Sequence, residues 1–582
     1  MNMHFSSLEG RTDLSCVFCG AAGLGIQTVE DLLARVIVNE GLYVFGSREY
    51  MSRVRGGSNS TEIRISSLPV DALVDRIDLL FALSAGVREN IRERITPDTM
   101  IFGDRDELKE EADELGGTFV NIPLQDIAKE VGGKIYSNSV AAGFLFGILG
   151  LGLDGAREFF EQRFADKKPE VVEKNMKAAR TGFDQGEALV EKKGLLDGYT
   201  RLKEKESMIL SGTDAVGLGA LAGGCTFAAA YPMSPSTGVL TFLASHAEEC
   251  GVAVEQVEDE LAAINMAVGA AYAGGRSMVT TSGGGFALMT EGVSLAGVVE
   301  SPVVIHLAQR PGPATGMATR TEQGDLLHAL FSSHGEFPKA IYAPGTLVSA
   351  FKITQKAFAT AWSYHTPVII LTDQYFVNSF HNLSPETFEF LPELPEIEKT
   401  GPNYRRYEDT PDGVSPYGIP GWGEGIVGGD SHEHDEEGHV YEDFHLRTRM
   451  QDKRMRKLEG MKREALPPTL IGPEKYETLV ICWGSTLPIV REALKNLGRA
   501  DTALLAYEQV WPLHSSTEEY LRKASRTVMV EGNSTAQFAR LIRCETGIAL
   551  SGSVLKYSGL QFSVEEVEKR LTEFLSGKEG SR

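Results

Sequence analysis

The stretch Ser277-Met-Val-Thr-Thr-Ser-Gly-Gly-Gly285 lies at the centre of the predicted fold. Its first five residues predict a short buried strand, and its three glycines predict a sharp turn into a helix at 286–299. The same order of elements continues on both sides, with a strand at 252–256 and a helix at 260–273 upstream and a strand at 303–307 downstream. Short β-branched strands that alternate with helices indicate a parallel sheet covered on both faces.

Three features of the sequence fall at one edge of this predicted sheet. Parallel sheets bind ligands at the carboxyl ends of their strands, where the glycine turn 282–285, Arg310 and the loop Tyr231-Pro-Met-Ser-Pro-Ser-Thr237 all lie. The two prolines of the loop exclude a helix or a central strand. Rigid loops of this kind hold ligands more often than they form cores. The hydroxyl groups of the loop belong to Ser234, Ser236 and Thr237.

Two charged residues at this edge each have two interpretations. Glu260 begins a helix, where the helix dipole favours an acidic residue whatever its function. It also runs directly into the apolar sequence Leu-Ala-Ala-Ile, a setting in which a carboxyl group can share a proton with a ring nitrogen. Arg310 lies on a loop rich in Gly and Pro and is well placed for a substrate carboxylate. The alternative is a surface arginine paired with Asp325 or Glu322.

The first segment opens with a strand, a glycine-rich turn and a helix. Residues 14–19 predict the strand, Gly20-Ala-Ala-Gly-Leu-Gly25 the turn, and 26–39 a helix with apolar side chains on one face. This order presents backbone amides to a phosphate. The spacing G-x-x-G-x-G differs from the dinucleotide pattern G-x-G-x-x-G. The turn is therefore interpreted either as a phosphate cradle or as a plain tight turn.

A second glycine-rich element follows in Tyr50-Met-Ser-Arg-Val-Arg-Gly-Gly-Ser-Asn59. Arginine can donate two parallel hydrogen bonds to a phosphate, and glycine lets a ligand approach the backbone closely. These properties make a candidate anion site of four residues, with a hairpin turn and solvated arginines as the alternative. The four residues are Arg53, Arg55, Gly56 and Gly57.

The C-terminal half contains an irregular region and a further α/β segment. Gly, Pro, Asp and His dominate residues 411–445, and an irregular run of this length inside an enzyme predicts a flap or a partner-contacting loop. Residues 476–575 return to predicted strands and helices. A charged, helix-prone linker is predicted at 187–207, before the central segment.

Composition excludes several classes of protein. The 582 residues carry a net charge of −23, which argues against nucleic acid and anionic membrane surfaces as partners. Six cysteines in so long a chain are too few for a disulfide framework. The N-terminus lacks the pattern of a signal peptide, and the apolar run 140–153 is too short to span a bilayer. A cytoplasmic protein is therefore expected.

Two groups of potential metal ligands are interpreted as structural, and no metal site is predicted. Cys16 and Cys19 form an isolated C-x-x-C in a predicted strand. Side chains three apart on a strand point to opposite faces, so both are expected in the core. The second group is expected to be a solvated polar loop because its spacing is irregular: His432, Glu433, His434, Asp435 and His439.

Two motifs are missing from the sequence. It has no cluster of cysteines that could hold an iron–sulfur centre. It also has no Gly-Asp-Gly with a downstream Asn pair, which is the usual metal and diphosphate site for thiamine diphosphate. If the chain takes part in thiamine or electron-transfer chemistry, a partner must supply both.

With these residues assembled, the chain resembles the α subunit of 2-oxoacid:ferredoxin oxidoreductases in the form with a γ domain fused at the N-terminus. The 2-oxoglutarate type is the most similar. The γ-like parts are the Gly20 turn and Arg55-Gly-Gly57. The other matching stretches are 231–237, 258–265, 281–286, 310–326, 532–542 and 556–559.

This resemblance implies a multidomain α/β fold in which a parallel-sheet domain binds thiamine diphosphate. The expected divisions are a γ-type α/β domain at 1–190, a linker at 191–208, a pyrimidine-type thiamine diphosphate domain at 209–385, an irregular region at 386–467 and a transketolase C-terminal-like domain at 468–582.

The resemblance also implies a division of labour between subunits. This chain would meet the pyrimidine side of thiamine diphosphate, and a β subunit would hold the diphosphate, Mg²⁺ and a [4Fe–4S] cluster. The reaction implied is oxidative decarboxylation of 2-oxoglutarate, with coenzyme A taking the acyl group and ferredoxin the electrons. Pyruvate or a branched-chain 2-oxoacid is the alternative substrate, and a non-catalytic scaffold is the alternative of another class. A dimer of αβ pairs is expected.

Site roles follow from the same resemblance. Glu260 matches the glutamate that hydrogen-bonds the aminopyrimidine ring, and Tyr231 and Pro232 belong to the cofactor loop. Ser234 stands where the family usually has Thr; its hydroxyl keeps a catalytic and substrate-binding role feasible. Arg310 matches the arginine that binds the 2-oxoacid carboxylate, and Thr319 in the same stretch is expected to bind substrate. The anion site at 53–57 is expected to contribute to binding coenzyme A.

Overall fold

The computed structural model describes residues 11–21, 26–50, 57–190, 194–201, 207–392, 394, 397 and 399–577. The chain divides into two compact units. The first comprises Met1–Leu210 with Ser379–Pro385, and the second comprises Ser211–Asn378 with Glu386–Arg582. Residues Ser379–Pro385 therefore group with the first unit, and not with the central segment to which the sequence pattern assigned them.

The elements up to residue 211 are β1 Asp13–Ala21, α1 Ile26–Asn39, β2 Tyr43–Glu49, β3 Ser58–Ser66, β4 Leu79–Ala82, α2 Glu89–Arg92, β5 Met100–Gly103, α3 Arg105–Leu108, α4 Glu111–Glu114, β6 Thr118–Asn121, α5 Leu124–Val131, α6 Ser137–Leu149, α7 Asp154–Arg163, α8 Pro169–Glu187 and β7 Met208–Ser211. The next are α9 Gly212–Ala222, β8 Phe227–Ala230, α10 Thr237–Ser245, α11 Ala247–Cys250, β9 Ala253–Gln256, α12 Glu260–Tyr272, β10 Ser277–Thr281, α13 Gly283–Val298, β11 Val303–Gln309, α14 Leu326–Phe331, β12 Ala340–Tyr342, α15 Leu347–Tyr364, β13 Val368–Asp373, α16 Gln374–Asn378 and β14 Ser379–Leu383. The last are α17 Phe444–Arg463, β15 Thr469–Ile471, β16 Thr478–Trp483, α18 Leu487–Leu497, β17 Thr502–Tyr507, β18 Gln509–Trp511, α19 Thr517–Lys523, β19 Arg526–Glu531, α20 Gln537–Thr546, β20 Gly552–Leu555 and α21 Val564–Leu575.

The first unit is built on one mixed sheet with the order β6-β5-β4-β1-β3-β2-β14-β7. Central β1 pairs parallel with β4 and antiparallel with β3. Strand β14 pairs antiparallel with β2, which explains why this late segment belongs to the first unit. Cys16 and Cys19 are fully buried in two different apolar clusters on β1. The prediction that they are core residues on opposite faces is confirmed.

Glycines set the close packing of α6 against α8. A Cβ atom added at Gly143 would lie 1.9 Å from the Ala179 carbonyl oxygen, and one at Gly182 would lie 2.1 Å from the Val140 carbonyl oxygen. The two helix backbones are therefore in direct contact. The part of the apolar run 140–153 that lies in α6, residues 140–149, is buried inside the unit. No helix within the described ranges has the length and apolar character needed to cross a membrane.

The second unit contains two sheets. The larger has the order β18-β12-β13-β11-β10-β8-β9, in which only β18 among the described strands runs antiparallel to its neighbour. The smaller has the order β15-β17-β16-β19-β20, with parallel pairing from β17 to β20. The predicted parallel sheet is confirmed, because the pairings from β9 through β8, β10, β11 and β13 to β12 are all parallel.

One local prediction was wrong. The glycines after β10 are not a sharp turn before a helix; α13 begins at Gly283, so they form its first turn. The region expected to be irregular, 386–467, also contains the basic, helix-like sequence Lys453-Arg-Met-Arg-Lys457, and this sequence lies within α17, Phe444–Arg463. Its apolar positions are few, but Lys453 and Lys457 on α17 are buried against the Glu300 carboxylate, with 2.7 Å between Lys453 Nζ and Glu300 Oε1.

Candidate active site

Glu260 begins α12 and is almost completely buried, with 3% of its surface exposed. The preceding residue, Asp259, caps the helix by accepting a hydrogen bond from the Ala262 amide at 2.7 Å. Because Asp259 performs the capping, Glu260 is not needed for that purpose. Within the described residues, Glu260 Oε1 has no hydrogen-bond partner. A buried acceptor of this kind costs free energy unless a ligand meets it.

The first turn of α13 lies directly against this carboxyl group. A Cβ atom added at Gly285 would lie 2.4 Å from Glu260 Oε1 and 2.3 Å from Thr281 Oγ1, so only glycine fits here. Two further oxygens near this turn are buried without a partner in the described part of the chain, namely Ser282 Oγ and Asp325 Oδ2. Asp325 Oδ2 lies 2.5 Å from the position of a Cβ atom at Gly283. Three buried oxygens without hydrogen-bond partners in the described residues therefore lie close to the first turn of α13.

The loop 231–237 is held in place through its backbone. The Ser236 hydroxyl donates to the Met233 carbonyl at 2.8 Å, and the Thr280 hydroxyl donates to the Ser236 carbonyl at 3.3 Å. Ser236 is buried, so its hydroxyl serves the loop itself and is not presented to a ligand. Tyr231 is 41% exposed. Pro232 and Ser234 are partly exposed beside it.

A neutral histidine, His306, contacts the loop 231–237 through Thr280. His306 on β11 is fully buried, and its two ring nitrogens lie 2.8 Å from the hydroxyls of Thr280 on β10 and Thr372 on β13. Burial lowers the pKa of His306 to about 3, so the ring is uncharged at neutral pH. It therefore links three adjacent strands beneath the site without adding charge.

Arg310 follows β11 and reaches back to the same loop. Its Nη1 donates to the Ser234 carbonyl at 2.6 Å. Burial lowers the pKa of Arg310, and the charge of Asp325 opposes that effect. Arg310 thus donates to a backbone carbonyl. The described residues do not show the alternative, in which a surface arginine forms an ion pair with Asp325 or Glu322. Burial raises the pKa of Asp325 to about 6, with Glu322 adding to the rise and Arg310 opposing it.

The stretch 310–326 is anchored to the C-terminal sheet. The Thr321 amide donates to the Gly559 carbonyl at 3.1 Å, and the Gln323 side chain donates to the Trp483 carbonyl and accepts from the Gly532 amide, both at 2.8 Å. Thr319 lies in this stretch and is buried. The matching motifs at 310–326 and 532–542 are therefore in contact. Sequence reasoning missed Gln323, although it lies inside the matching stretch 310–326, because nothing in the sequence indicates its contacts with Trp483 and Gly532.

A buried carboxyl group that the sequence pattern did not indicate also joins these parts. Asp373, at the end of β13, accepts hydrogen bonds from the Thr321 hydroxyl at 3.0 Å and from the Ser485 hydroxyl. The Gln561 amide donates to the same Ser485 hydroxyl at 2.9 Å. Burial raises the pKa of Asp373, and its hydrogen bonds oppose that rise. It holds the carboxyl edge of the sheet to residues of the C-terminal segment.

The predicted anion site falls mostly outside the described residues. Arg53, Arg55 and Gly56 lie outside them, as do residues 22–25 of the glycine-rich turn. Gly57 is described and is buried just before β3. Gly20 is part of β1. The two interpretations of each element therefore stay predictions.

The histidine-rich group is a solvated polar loop only in part: His432 and His439 are exposed, as expected, but His434 is not. His434 is fully buried and its ring lies 3.9 Å from the ring of Tyr407. Glu433 accepts from Arg454 at 2.7 Å. Charge pairing and ring stacking thus fold this part of the region. Among the described residues, no group of three or more His, Cys, Asp and Glu side chains is arranged to hold a metal ion.

Comparisons with known proteins find similarity over nearly the whole chain. Residues 218–453 match the family model "Pyruvate flavodoxin/ferredoxin oxidoreductase, thiamine diP-bdg", and residues 15–185 match "Pyruvate ferredoxin/flavodoxin oxidoreductase". The chain is 31% identical to a 2-oxoacid:ferredoxin oxidoreductase subunit alpha from Sulfolobus sp, over 97% of this chain and 98% of that protein. It is 28% identical to the 2-oxoglutarate oxidoreductase subunit KorA of Mycobacterium tuberculosis, over 96% of this chain and 91% of the relative.

A solved structure extends the likeness to three dimensions. The chain superimposes with a TM-score of 0.88 and 29% identity on a structure of 2-oxoglutarate:ferredoxin oxidoreductase from Magnetococcus marinus with 2-oxoglutarate, coenzyme A and succinyl-CoA bound. The match covers 97% of this chain and 99% of the other. The similarity thus includes both compact units and the candidate site.

Proposed function

Because the chain belongs to the α subunits of the 2-oxoacid:ferredoxin oxidoreductases, we propose that it binds the pyrimidine side of thiamine diphosphate and acts on 2-oxoglutarate. In the proposed reaction 2-oxoglutarate and coenzyme A yield succinyl-CoA and CO₂, and ferredoxin is reduced. The choice of substrate is supported by relatives named for 2-oxoglutarate and by the solved structure that contains it. The observation that carries the proposal is the buried, unpartnered Oε1 of Glu260.

The residues at this position fit an aminopyrimidine ring. Glu260 offers a carboxyl oxygen without a partner in the described residues, within a site shaped by Gly285. Bound thiamine diphosphate would supply a nucleophilic carbon and a sink for electrons. Glu260 would hold a proton against the ring nitrogen, because a buried carboxyl group exchanges protons with a neighbouring base instead of with water.

Arg310 is the proposed ligand of the substrate carboxylate. Its guanidinium carries five N–H donors in a fixed fork, and the Ser234 carbonyl orients it through Nη1. Partial burial strengthens its pairing with an anion because less water screens the charges. Ser234 would orient the substrate through its hydroxyl and Thr319 would line the same site. Tyr231 and Pro232 would form the cofactor-facing part of the loop.

The remaining components are assigned to partners. We assign the diphosphate, Mg²⁺ and a [4Fe–4S] cluster to a β subunit, ferredoxin to the role of electron acceptor, and a dimer of αβ pairs to the assembly. Arg53, Arg55, Gly56 and Gly57 are proposed to contribute to coenzyme A binding. A cytoplasmic location is proposed because all six cysteines are unpaired, as expected in a reducing compartment.

The proposal is tested by Glu260→Gln in the complex with its β subunit. The amide keeps the shape but cannot exchange the proton, so we expect a loss of roughly 10²–10⁴-fold in ferredoxin reduction. Thiamine diphosphate affinity, measured by calorimetry, should fall as well. The matched control is Glu258→Gln, an exposed acidic residue two positions earlier. Wild-type turnover in Glu260→Gln would remove Glu260 from the mechanism.

The substrate is tested by comparing 2-oxoglutarate, pyruvate and a branched-chain 2-oxoacid at equal concentration. We expect the highest kcat/KM for 2-oxoglutarate. Arg310→Ala should raise KM for every 2-oxoacid, since each carries the same carboxylate, and rescue by Arg310→Lys should be partial because lysine lacks the planar fork. A higher kcat/KM for pyruvate would overturn the assignment of substrate and leave the family unaffected.

A further inference from the structure

Gln309 carries a buried amide group at the carboxyl end of β11, directly before Arg310. Its Nε2 donates to the Thr372 carbonyl of the neighbouring strand β13 at 3.0 Å, and its Oε1 accepts from the Asp325 amide at 2.9 Å. An amide side chain that is bonded at both its donor and its acceptor has one favoured orientation. Gln309 therefore ties the backbone of Asp325 to the carboxyl ends of β11 and β13.

Asp325 carries a charge close to Arg310. Its carboxyl oxygens lie over the first turn of α13, with Oδ2 2.5 Å and Oδ1 2.7 Å from the position of a Cβ atom at Gly283. Asp325 and Arg310 each oppose the shift that burial produces in the pKa of the other, so the two charges interact. Arg310 nevertheless donates to the Ser234 carbonyl, and Asp325 Oδ2 has no hydrogen-bond partner in the described part of the chain. The guanidinium therefore stays available to another carboxylate.

Other side-chain amides tie the same segment to the C-terminal part of the chain. Gln537 on α20 accepts from the Leu327 amide at 2.9 Å and donates to the Gly324 carbonyl at 2.6 Å. Gln323 bonds to the backbone after β16 and β19. These bonds place the segment against the C-terminal sheet, whereas the bond from the Asp325 amide to Gln309 reaches the strand that carries Arg310. The Gln309 amide thus sets the position of Asp325 relative to Arg310.

We propose that Gln309 is a positioning residue of the proposed reaction, which keeps the Asp325 carboxyl group near Arg310 but out of an ion pair with it. The inference rests on the proposed role of Arg310 as the ligand of the substrate carboxylate. A carboxylate that pairs with Arg310 competes with the substrate, because both require the same N–H donors. Without the Gln309 amide, Asp325 is released from β11 and can approach Arg310. Gln309 therefore acts on substrate binding through Asp325 and does not itself touch the substrate.

The test is steady-state kinetics of 2-oxoglutarate-dependent ferredoxin reduction in the complex with the β subunit. Gln309→Met keeps an unbranched side chain of similar length and removes both hydrogen bonds. We expect KM for 2-oxoglutarate to rise about fivefold, the effect of one partly screened ion pair, and kcat to stay within about twofold of the wild-type value.

The matched control is Gln509→Met on β18. Gln509 is also buried, and its amide likewise donates to the Pro512 carbonyl at 3.2 Å and accepts from the Leu466 amide at 2.7 Å. Because both variants lose a donor and an acceptor bond, urea titration should show a similar decrease in the free energy of unfolding for each. Gln509→Met should leave KM unchanged.

A double-mutant cycle separates positioning from a general loosening of the fold. In the Asp325→Asn background the competing charge is absent, so adding Gln309→Met should change KM by less than about twofold. Gln309→Asn, whose shorter amide cannot reach both partners, is the second variant if Gln309→Met does not assemble, and it should raise KM in the same direction.

The inference is overturned if Gln309→Met has the same KM as Gln509→Met, or if it raises KM as strongly in the Asp325→Asn background as alone. The Arg310→Ala variant distinguishes this failure from that of the proposed function. An unchanged KM in Arg310→Ala overturns both, whereas a raised KM there, with a wild-type KM in Gln309→Met, overturns only the role of Gln309.

Discussion

Replacing Gly285 with alanine is expected to disable the candidate active site while leaving the chain folded. The new Cβ atom would lie 2.4 Å from Glu260 Oε1 and 2.3 Å from Thr281 Oγ1, whereas ordinary contacts begin at 3.4 Å. Thr281 is β-branched, fully buried and part of β10, so it cannot turn away freely. The Glu260 carboxyl group must therefore move by roughly 1 Å.

The size of the effect follows from that displacement. A misplacement of about 1 Å at a reacting group costs roughly 10²-fold in rate, or about 2.7 kcal/mol in activation free energy. Overpacking costs about 1–3 kcal/mol of stability, and alanine in a helix returns about 0.5–1 kcal/mol relative to glycine. We therefore expect a small net loss of stability and a large loss of function.

The assay is thiamine diphosphate affinity and kcat for 2-oxoacid-dependent ferredoxin reduction in the complex with the β subunit. Melting of the isolated chain checks folding. The first control is Gly284→Ala, where the nearest heavy atom to the new Cβ is the Ala314 carbonyl oxygen at 3.7 Å. The second is Gly269→Ala on α12, with nothing within 4 Å. Wild-type affinity and kcat in Gly285→Ala would refute the assignment of the Glu260 pocket.

Two further predictions concern pH. Burial raises the pKa of Asp325 to about 6, so above that pH its negative charge competes with the substrate carboxylate for Arg310. In steady-state kinetics, KM for the 2-oxoacid should therefore rise roughly two- to fivefold from pH 5 to pH 7.5. The variant Asp325→Asn should abolish this rise. Burial favours a raised pKa for Glu300, but Lys457, Lys453 and a neighbouring arginine hold it below its usual value, so its stabilisation is present above pH 4.5 and is lost as pH falls further. Glu300→Gln should therefore lower the free energy of unfolding of the second unit by about 3–5 kcal/mol at pH 7. Urea titrations in which the wild type and the variant differ by the same free energy at pH 3 would contradict this reasoning.

The local sequence pattern was sufficient to predict many of the helices and strands and the protein family. Helix α1 and strand β10 have the bounds expected from the sequence, because each carries buried side chains at the spacing of its own secondary structure. The order of strands and helices likewise required a parallel sheet. The motif 231–237, with Glu260 and Arg310, carried the resemblance to the 2-oxoacid:ferredoxin oxidoreductases, and the comparisons confirm that family.

Long-range contacts decided the rest. Ser379–Pro385 belongs to the first unit because β14 pairs with β2, which lies more than three hundred positions earlier in the chain. Nothing in the local sequence indicates that partner. The buried state of His434 and of Lys453 depends in the same way on Tyr407 and Glu300. Polarity predicts exposure for all of them, and only a distant partner of suitable charge or shape can reverse it.

Glu260 shows the division most directly. Its position at a helix start admitted two roles, because the helix dipole and a ring nitrogen both favour a carboxyl group. The fold shows that Asp259 caps the helix, that α13 brings Gly285 against the Glu260 carboxyl group, and that Oε1 is buried with no partner in the described chain. The role toward a ring nitrogen is the one that we propose. An unsatisfied buried atom is a property of packing in three dimensions. For this reason the order of residues can nominate such an atom but cannot establish it.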